Sequence, residues 1–191
     1  MKAIIKEIIS LSLYLAIILG CTYLLVNYVL QRTEIEGDSM QPTLSDGDNI
    51  IVDKLTYRFK EPQRYDIIAF PYRYEQDTYF VKRIIGLPGE KVRIDAHGII
   101  FINDEALDER YGTEPIHQAR DAFTPRILGE DEYFVLGDNR NDSMDSRDSS
   151  VGLVRREEII GRAFVRIYPF TSIGFIQNKK SSSEPETGEN K

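Results

Sequence analysis

The sequence predicts a mainly β protein, an antiparallel-sheet body behind one N-terminal transmembrane helix. Three observations carry this reading. Residues 8–31 contain no charged side chain, and 8–30 is rich in Leu, Ile, Val and Ala. Downstream, short β-branched or aromatic runs recur, bounded by turn pairs such as Asp46-Gly47, Pro88-Gly89, Asn103-Asp104 and Gly137-Asp138. The 191 residues are 41% hydrophobic and 29% charged, so most of the chain can bury a core as one domain with accessories.

The apolar stretch comes first. At 1.5 Å per residue, 8–30 makes a helix of roughly 35 Å, enough to cross a hydrocarbon core of about 30 Å. Lys2, Lys6 and the α-amine precede it against Glu7 alone, while Arg32 and Glu34 cancel after it. The positive-inside rule therefore leaves residues 1–7 in the cytoplasm and the rest outside. Tyr23 and Tyr28 fall toward the outer interface, where amphipathic rings are favoured. Three other readings compete. A cleaved secretory signal has a shorter apolar core, of about 7–15 residues, and a small-residue site after it. A lipoprotein signal could use Ile18-Leu19-Gly20-Cys21, but Leu19 is bulky and apolar sequence continues past Cys21. A buried soluble helix would need a second large apolar partner, and the sequence offers none.

The body, 31–177, is acidic. Strands are expected at 49–53, 67–70, 79–85, 91–94, 99–102, 133–136 and 163–168. Residues 157–161 read as locally helical, and 39–44 as turn-like. Residues 103–132 are polar and weakly periodic, an insertion or long loop. Gly-Asp-Asn occurs at 47–49 and 137–139 with different flanks, so it marks two turns rather than a repeat. The tail, 178–191, holds no apolar residue and is expected to be disordered.

Several functions are excluded early. A net charge of -7 argues against a nucleic-acid partner, whose binding needs clustered Lys and Arg. One cysteine permits no intrachain disulfide. His97 and His117 stand far apart and no HExxH helix exists, which leaves little basis for a zinc site or a Ser-His-Asp triad. No metal or other cofactor is expected, and nothing in the sequence calls for more than a monomer.

Three segments could hold chemistry. Gly37-Asp38-Ser39-Met40-Gln41-Pro42-Thr43-Leu44 lies just past the membrane exit, where a turn can present Ser39. Alone, it reads as an ordinary polar juxtamembrane turn. In the strand Tyr79-Phe80-Val81-Lys82-Arg83-Ile84-Ile85-Gly86, alternation puts Phe80, Lys82 and Ile84 on one face and Val81, Arg83 and Ile85 on the other. Desolvation lowers a lysine pKa by penalising the charged form, and a neutral amine can take a serine proton. A snorkelling lysine with its head in water is the bland alternative. The third segment, 136–147, follows a strand at once and is mostly Gly, Asx and Ser. There Arg140 and Arg147 can pair with Asp138, Asp142 or Asp145, as they could in any surface turn.

Together the segments resemble the bacterial type I signal peptidases, membrane-bound Ser/Lys proteases. The matching motifs are Ser39-Met40-x-Pro42-Thr43-Leu44, Gly47-Asp48-x-Ile50-x-Val52, Val81-Lys82-Arg83-Ile84-Ile85-Gly86-x-Pro88-Gly89 and Gly137-Asp138-Asn139-Arg140-x-x-Ser143-x-Asp145-Ser146-Arg147. The resemblance spans roughly residues 8–170 and is similar to the short, single-span Gram-positive branch. It implies a signal-peptidase-like catalytic body that removes signal peptides from exported precursors, with membrane lipid as its other partner.

The resemblance also implies roles. Ser39 matches the nucleophile, with its backbone N–H as an oxyanion donor, and Lys82 matches the general base. Ser143 matches a residue that hydrogen-bonds and positions the lysine. Asp138, Asp145 and Arg147 match residues that support the site through hydrogen bonds and an ion pair, and Arg140 shares their motif. Some relatives supply a second oxyanion donor from a serine two positions before the nucleophile; here that position is Gly37, without a hydroxyl. The family cuts after small residues at the last and third-last signal positions. Proximity to the motifs nominates Ile35, Ile50, Phe80 and Ile84 as pocket walls. Two rivals remain: a self-cleaving repressor of the same clan, which needs a DNA-binding domain where this chain has its apolar span, and a membrane-tethered, non-catalytic β-domain binding module.

Overall fold

The structure is a computed structural model that describes residues 2–76, 78–112 and 114–176. The expected disordered tail, 178–191, lies outside the described residues. Helix α1 spans Lys2–Tyr28, and its stretch Ile4–Tyr23 is long and apolar enough to cross a membrane. That stretch is unburied by the body, so the buried-helix alternative fails for the described residues. The helix ends earlier than expected. Leu30 already pairs with Asp53, and Lys54 N–H donates to the Val29 carbonyl at 2.8 Å. A strand ladder there competes with the helix and wins.

Among the described residues, twelve strands follow. They are β1 (Leu30–Glu34), β2 (Asn49–Asp53), β3 (Ile67–Pro71), β4 (Tyr79–Gly86), β5 (Lys91–Ile94), β6 (Ile100–Ile102), β7 (Glu105–Ala106), β8 (Arg126–Ile127), β9 (Glu132–Leu136), β10 (Val154–Arg155), β11 (Gly161–Tyr168) and β12 (Gly174–Phe175). All seven expected strands are present. The five not expected are either two residues long or, for β1, polar in sequence. Two antiparallel sheets result. The larger has the order β1-β2-β11-β3-β4-β9-β10, with β12 added to β11, and the smaller has the order β7-β6-β5-β8. The locally helical expectation near 157 is met by a short 3-10 turn at Arg156–Glu158, and Gly161 already opens β11.

Segment 103–132 is a correction to the loop expectation. It carries β7, β8 and a 3-10 turn at Arg120–Phe123. Its scattered Ile116, Ala122 and Leu128 are buried in the core of the smaller sheet with Ile85, Val92 and Phe134. Irregular spacing hid these anchors from a periodicity reading, because each holds a turn rather than one face of a strand.

β4 joins the hydrophobic clusters. Val81 packs with Ile35, Met40, Leu44, Ile50 and Val52, Ile84 packs with Ile68, Tyr133 and Val135, and Ile85 enters the smaller-sheet core. Each such side chain contributes roughly 1.5–3 kcal/mol on full burial. β3 pairs with residues 79–83 of β4, whereas β9 pairs only with 83–86. The stretch 79–82 is thus clamped on one side and free of β9 on the other, and Lys82 sits at that boundary.

Candidate active site

Ser39 stands in the turn between β1 and β2. Ile35 N–H donates to the Asp48 carbonyl and Gly47 N–H to the Ile35 carbonyl, closing the loop at its base. Gly37 adopts φ +82°, a left-handed conformation natural to glycine, and donates its N–H to Asp46 Oδ1 at 2.7 Å. Lys82 reaches this turn from β4. Its Nζ donates to Ser39 Oγ at 2.6 Å, while the residue is only 4% exposed. Burial lowers its pKa from 10.5 to about 8, against the nearby Asp145 and Asp138 charges, which raise it. At pH 7 roughly a tenth of the amines are then neutral. In that form the hydrogen bond reverses, with the hydroxyl donating to the amine lone pair.

The loop 137–147 forms the third side. Asp138 is fully buried and accepts from Arg83 Nε at 2.8 Å, Arg83 Nη2 at 2.6 Å and Thr43 Oγ1 at 2.6 Å. One carboxylate therefore ties the Ser39 turn, β4 and this loop together. Asp145 is held by Arg147 through two bonds of 2.8 Å and accepts the Gly137 N–H at 3.1 Å. Asn139 N–H donates to the Ser39 carbonyl at 3.0 Å. Gly137 lies so close that a Cβ there would overlap both the Ser143 side chain and the Ser39 carbonyl oxygen.

Two expectations for this loop change. Among the described residues, Ser143 Oγ is buried without a hydrogen-bond partner, so the expected bond to the lysine is not formed. The Lys82 amine is turned to Ser39 instead. Arg140 pairs with none of the loop's own acids. It forms a two-bond ion pair with Glu109, at 2.6 and 2.9 Å, reaching into the segment expected to be an insertion. Arg83, Thr43 and Asn139 were not singled out for roles from sequence. The available signal for Arg83 was a guanidinium on an apolar strand, which cannot deprotonate and so must find a carboxylate.

The sequence matches the family described as signal peptidase, peptidase S26, over residues 5–168. The chain belongs to this family. It is 38% identical over 156 residues to a probable signal peptidase I-2 of Synechocystis sp., covering 78% of this chain and 68% of that one. It is 32% identical over 176 residues to signal peptidase I S of Bacillus subtilis, covering 88% and 93%. A crystal structure of a signal peptidase I from Enterococcus faecalis V583 is similar at a TM-score of 0.45 and 36% identity, covering 54% of this chain and 97% of that one.

In this signal peptidase family member Ser39 and Lys82 open into a cleft of about 610 Å³. Its walls are 31–36 from β1 and its exit, Thr78 with 79–82 of β4, and Met40 and Met144. Ile35 and Phe80 line it as expected. Ile50 and Ile84 do not: both are fully buried, Ile50 beneath Ile35 and Ile84 in the cluster with Ile68 and Val135. Past Lys82, residues 83–86 of β4 pair with β9 and do not line the cleft. His97 and His117 are exposed, and neither lines this cleft.

Proposed function

We propose that this serine endopeptidase removes signal peptides from exported precursors by a Ser39/Lys82 dyad. The observation that carries the reading is the buried amine of Lys82 at 2.6 Å from Ser39 Oγ. The neutral amine takes the hydroxyl proton as Oγ attacks the carbonyl of the last signal residue. The tetrahedral oxyanion accepts from the Ser39 backbone N–H. Lys82, now protonated, gives its proton to the leaving amine, and the mature protein departs. A water then loses a proton to the same amine and attacks the acyl-enzyme, returning Ser39 and the signal peptide. Asp138, Asp145 and Arg147 hold the walls of this site, and Ser143 supplies a buried hydroxyl beside it.

The cleft suits an extended peptide, since residues 79–82 of β4 are free of β9 and can pair with an added strand. Shallow apolar walls at Ile35, Met40 and Val81 favour small side chains, because larger ones clash. In this reading α1 anchors a monomer in the cell membrane, with 1–7 cytoplasmic and the body extracytoplasmic, so the cleft meets precursors as they emerge. The test is cleavage of a precursor ending in Ala-x-Ala. Ser39→Ala and Lys82→Met are each expected to abolish it while leaving the protein folded. Normal processing by either variant would defeat the dyad, and a wild type that cleaves nothing would leave a tethered β binding module.

A further inference from the structure

We propose that Met144 is the residue that selects the first side chain of the mature protein, just beyond the scissile bond. The inference rests on the Ser39/Lys82 reading and adds a specificity determinant to it. Its basis is a contrast within one loop. Ser143, Asp145, Ser146 and Arg147 are all buried, and Asp145, Arg147 and Ser146 are fixed by hydrogen bonds to each other or to β9 and the Gly137 backbone. Met144, between them, is 46% exposed and lines the cleft that holds Ser39 and Lys82. Its backbone is held in place while its side chain is free to meet a substrate.

The direction of the cleft says which part of the substrate it meets. β1 begins two residues after α1 ends, so the Gln31 end of the cleft is nearest the span. A precursor whose apolar signal segment is held in lipid enters from that end and runs along β1 and β4 toward Ser39. The loop 137–147 stands at the Ser39 part of the cleft. It touches the Ser39 backbone through the Asn139 N–H, and Ser143 packs beside Gly137 at the same carbonyl. Residues leaving past Ser39 therefore pass Met144. An unbranched thioether adapts to apolar groups of different shape and offers nothing to a charge. Met144 thus favours an apolar first mature residue and tolerates variety among them.

The test uses the full-length enzyme in proteoliposomes with two precursor series. One varies the first mature residue among Gly, Leu, Asp and Lys. The other varies the last signal residue between Ala and Ser. Met144→Ala is expected to lower the Leu-to-Gly ratio of kcat/KM about tenfold, the scale of one lost apolar contact. Met144→Leu should restore the ratio, and Met144→Glu should raise the Lys-to-Asp ratio. The Ala-to-Ser ratio at the last signal residue should stay constant in all three. An unchanged Leu-to-Gly ratio, or a shift confined to the signal side, would overturn the assignment. Cleavage that survives Ser39→Ala in the same preparation would instead overturn the dyad on which it rests.

Discussion

Lys82 and Arg83 are consecutive residues of β4, point to opposite faces and are both buried, yet only one of them is clasped by a carboxylate. Arg83 keeps its charge through two bonds to Asp138, as a group that cannot deprotonate in a protein must. Lys82 is given the neutral hydroxyl of Ser39, and burial shifts it toward the uncharged form. One strand thus carries a structural cation and the proposed base, separated by the alternation of its side chains.

The first prediction concerns pH. With the Lys82 pKa near 8, and the neutral amine as the reactive form, kcat/KM should rise about tenfold per pH unit below that value and level off above it. A pH series of precursor cleavage checks this. Lys82→Arg should be inactive at every pH, because guanidinium stays charged. A flat profile between pH 6 and 9 would remove the neutral-amine step.

The same shift bears on stability. Between the folded pKa of about 8 and the unfolded value of 10.5, the unfolded chain holds a proton that the folded chain lacks. Stability therefore rises with pH across that window. Below it, the charged amine buried in the fold costs on the order of 3 kcal/mol relative to a neutral one. Lys82→Met removes this cost. Thermal unfolding in detergent should show the variant more stable than wild type at pH 7, with the gap closing as pH approaches 10.5. Equal melting temperatures at pH 7 would contradict the buried-charge account.

Much of the β body was legible because its strands are runs of Val, Ile and aromatic residues between turn pairs. β1 was not, since Leu-Gln-Arg-Thr-Glu is polar and becomes a strand only through its pairing with β2, Leu30 to Asp53 through Glu34 to Asn49. The dyad was legible through motif resemblance; the residues alone left Ser39 in an ordinary turn and Lys82 open to a snorkelling reading. The partners of the arginines were not legible. Asp138 could have met any of several cations by sequence distance, and the choice of Arg83 depends on a strand 55 residues away. Arg140 reaches Glu109 across 31 residues, into a segment whose buried anchors follow no period.

Asp138 gives a prediction on folding. Replacing it with Asn leaves the Arg83 guanidinium buried and without its counter-charge, a change that typically costs about 3–5 kcal/mol. Asp138→Asn should therefore lower the melting temperature markedly and raise susceptibility to added protease. The double variant Asp138→Asn with Arg83→Met should recover part of that loss, because the orphaned charge is gone. No recovery would mean that the ion pair is not what Asp138 supplies.

Gly137 gives the last. A methyl group there meets the Ser143 side chain and the Ser39 carbonyl oxygen at separations that real Cβ atoms do not adopt. Rotation moves the Ser143 hydroxyl but leaves its Cβ at 2.7 Å, and the carbonyl belongs to the backbone of the proposed nucleophile and is bonded to Asn139. Relief therefore moves Ser39 relative to Lys82. A displacement of about 1 Å at reacting atoms costs on the order of a hundredfold in rate, and overpacking costs roughly 1–3 kcal/mol in stability. Gly137→Ala should thus lose most of its kcat with KM little changed, since the cleft walls at 31–36 and 78–82 are untouched. Ser143→Ala placed behind it should not restore the rate, because the backbone clash persists. Full activity in Gly137→Ala would show that the loop can retreat without moving Ser39, and that the close approach is incidental to catalysis.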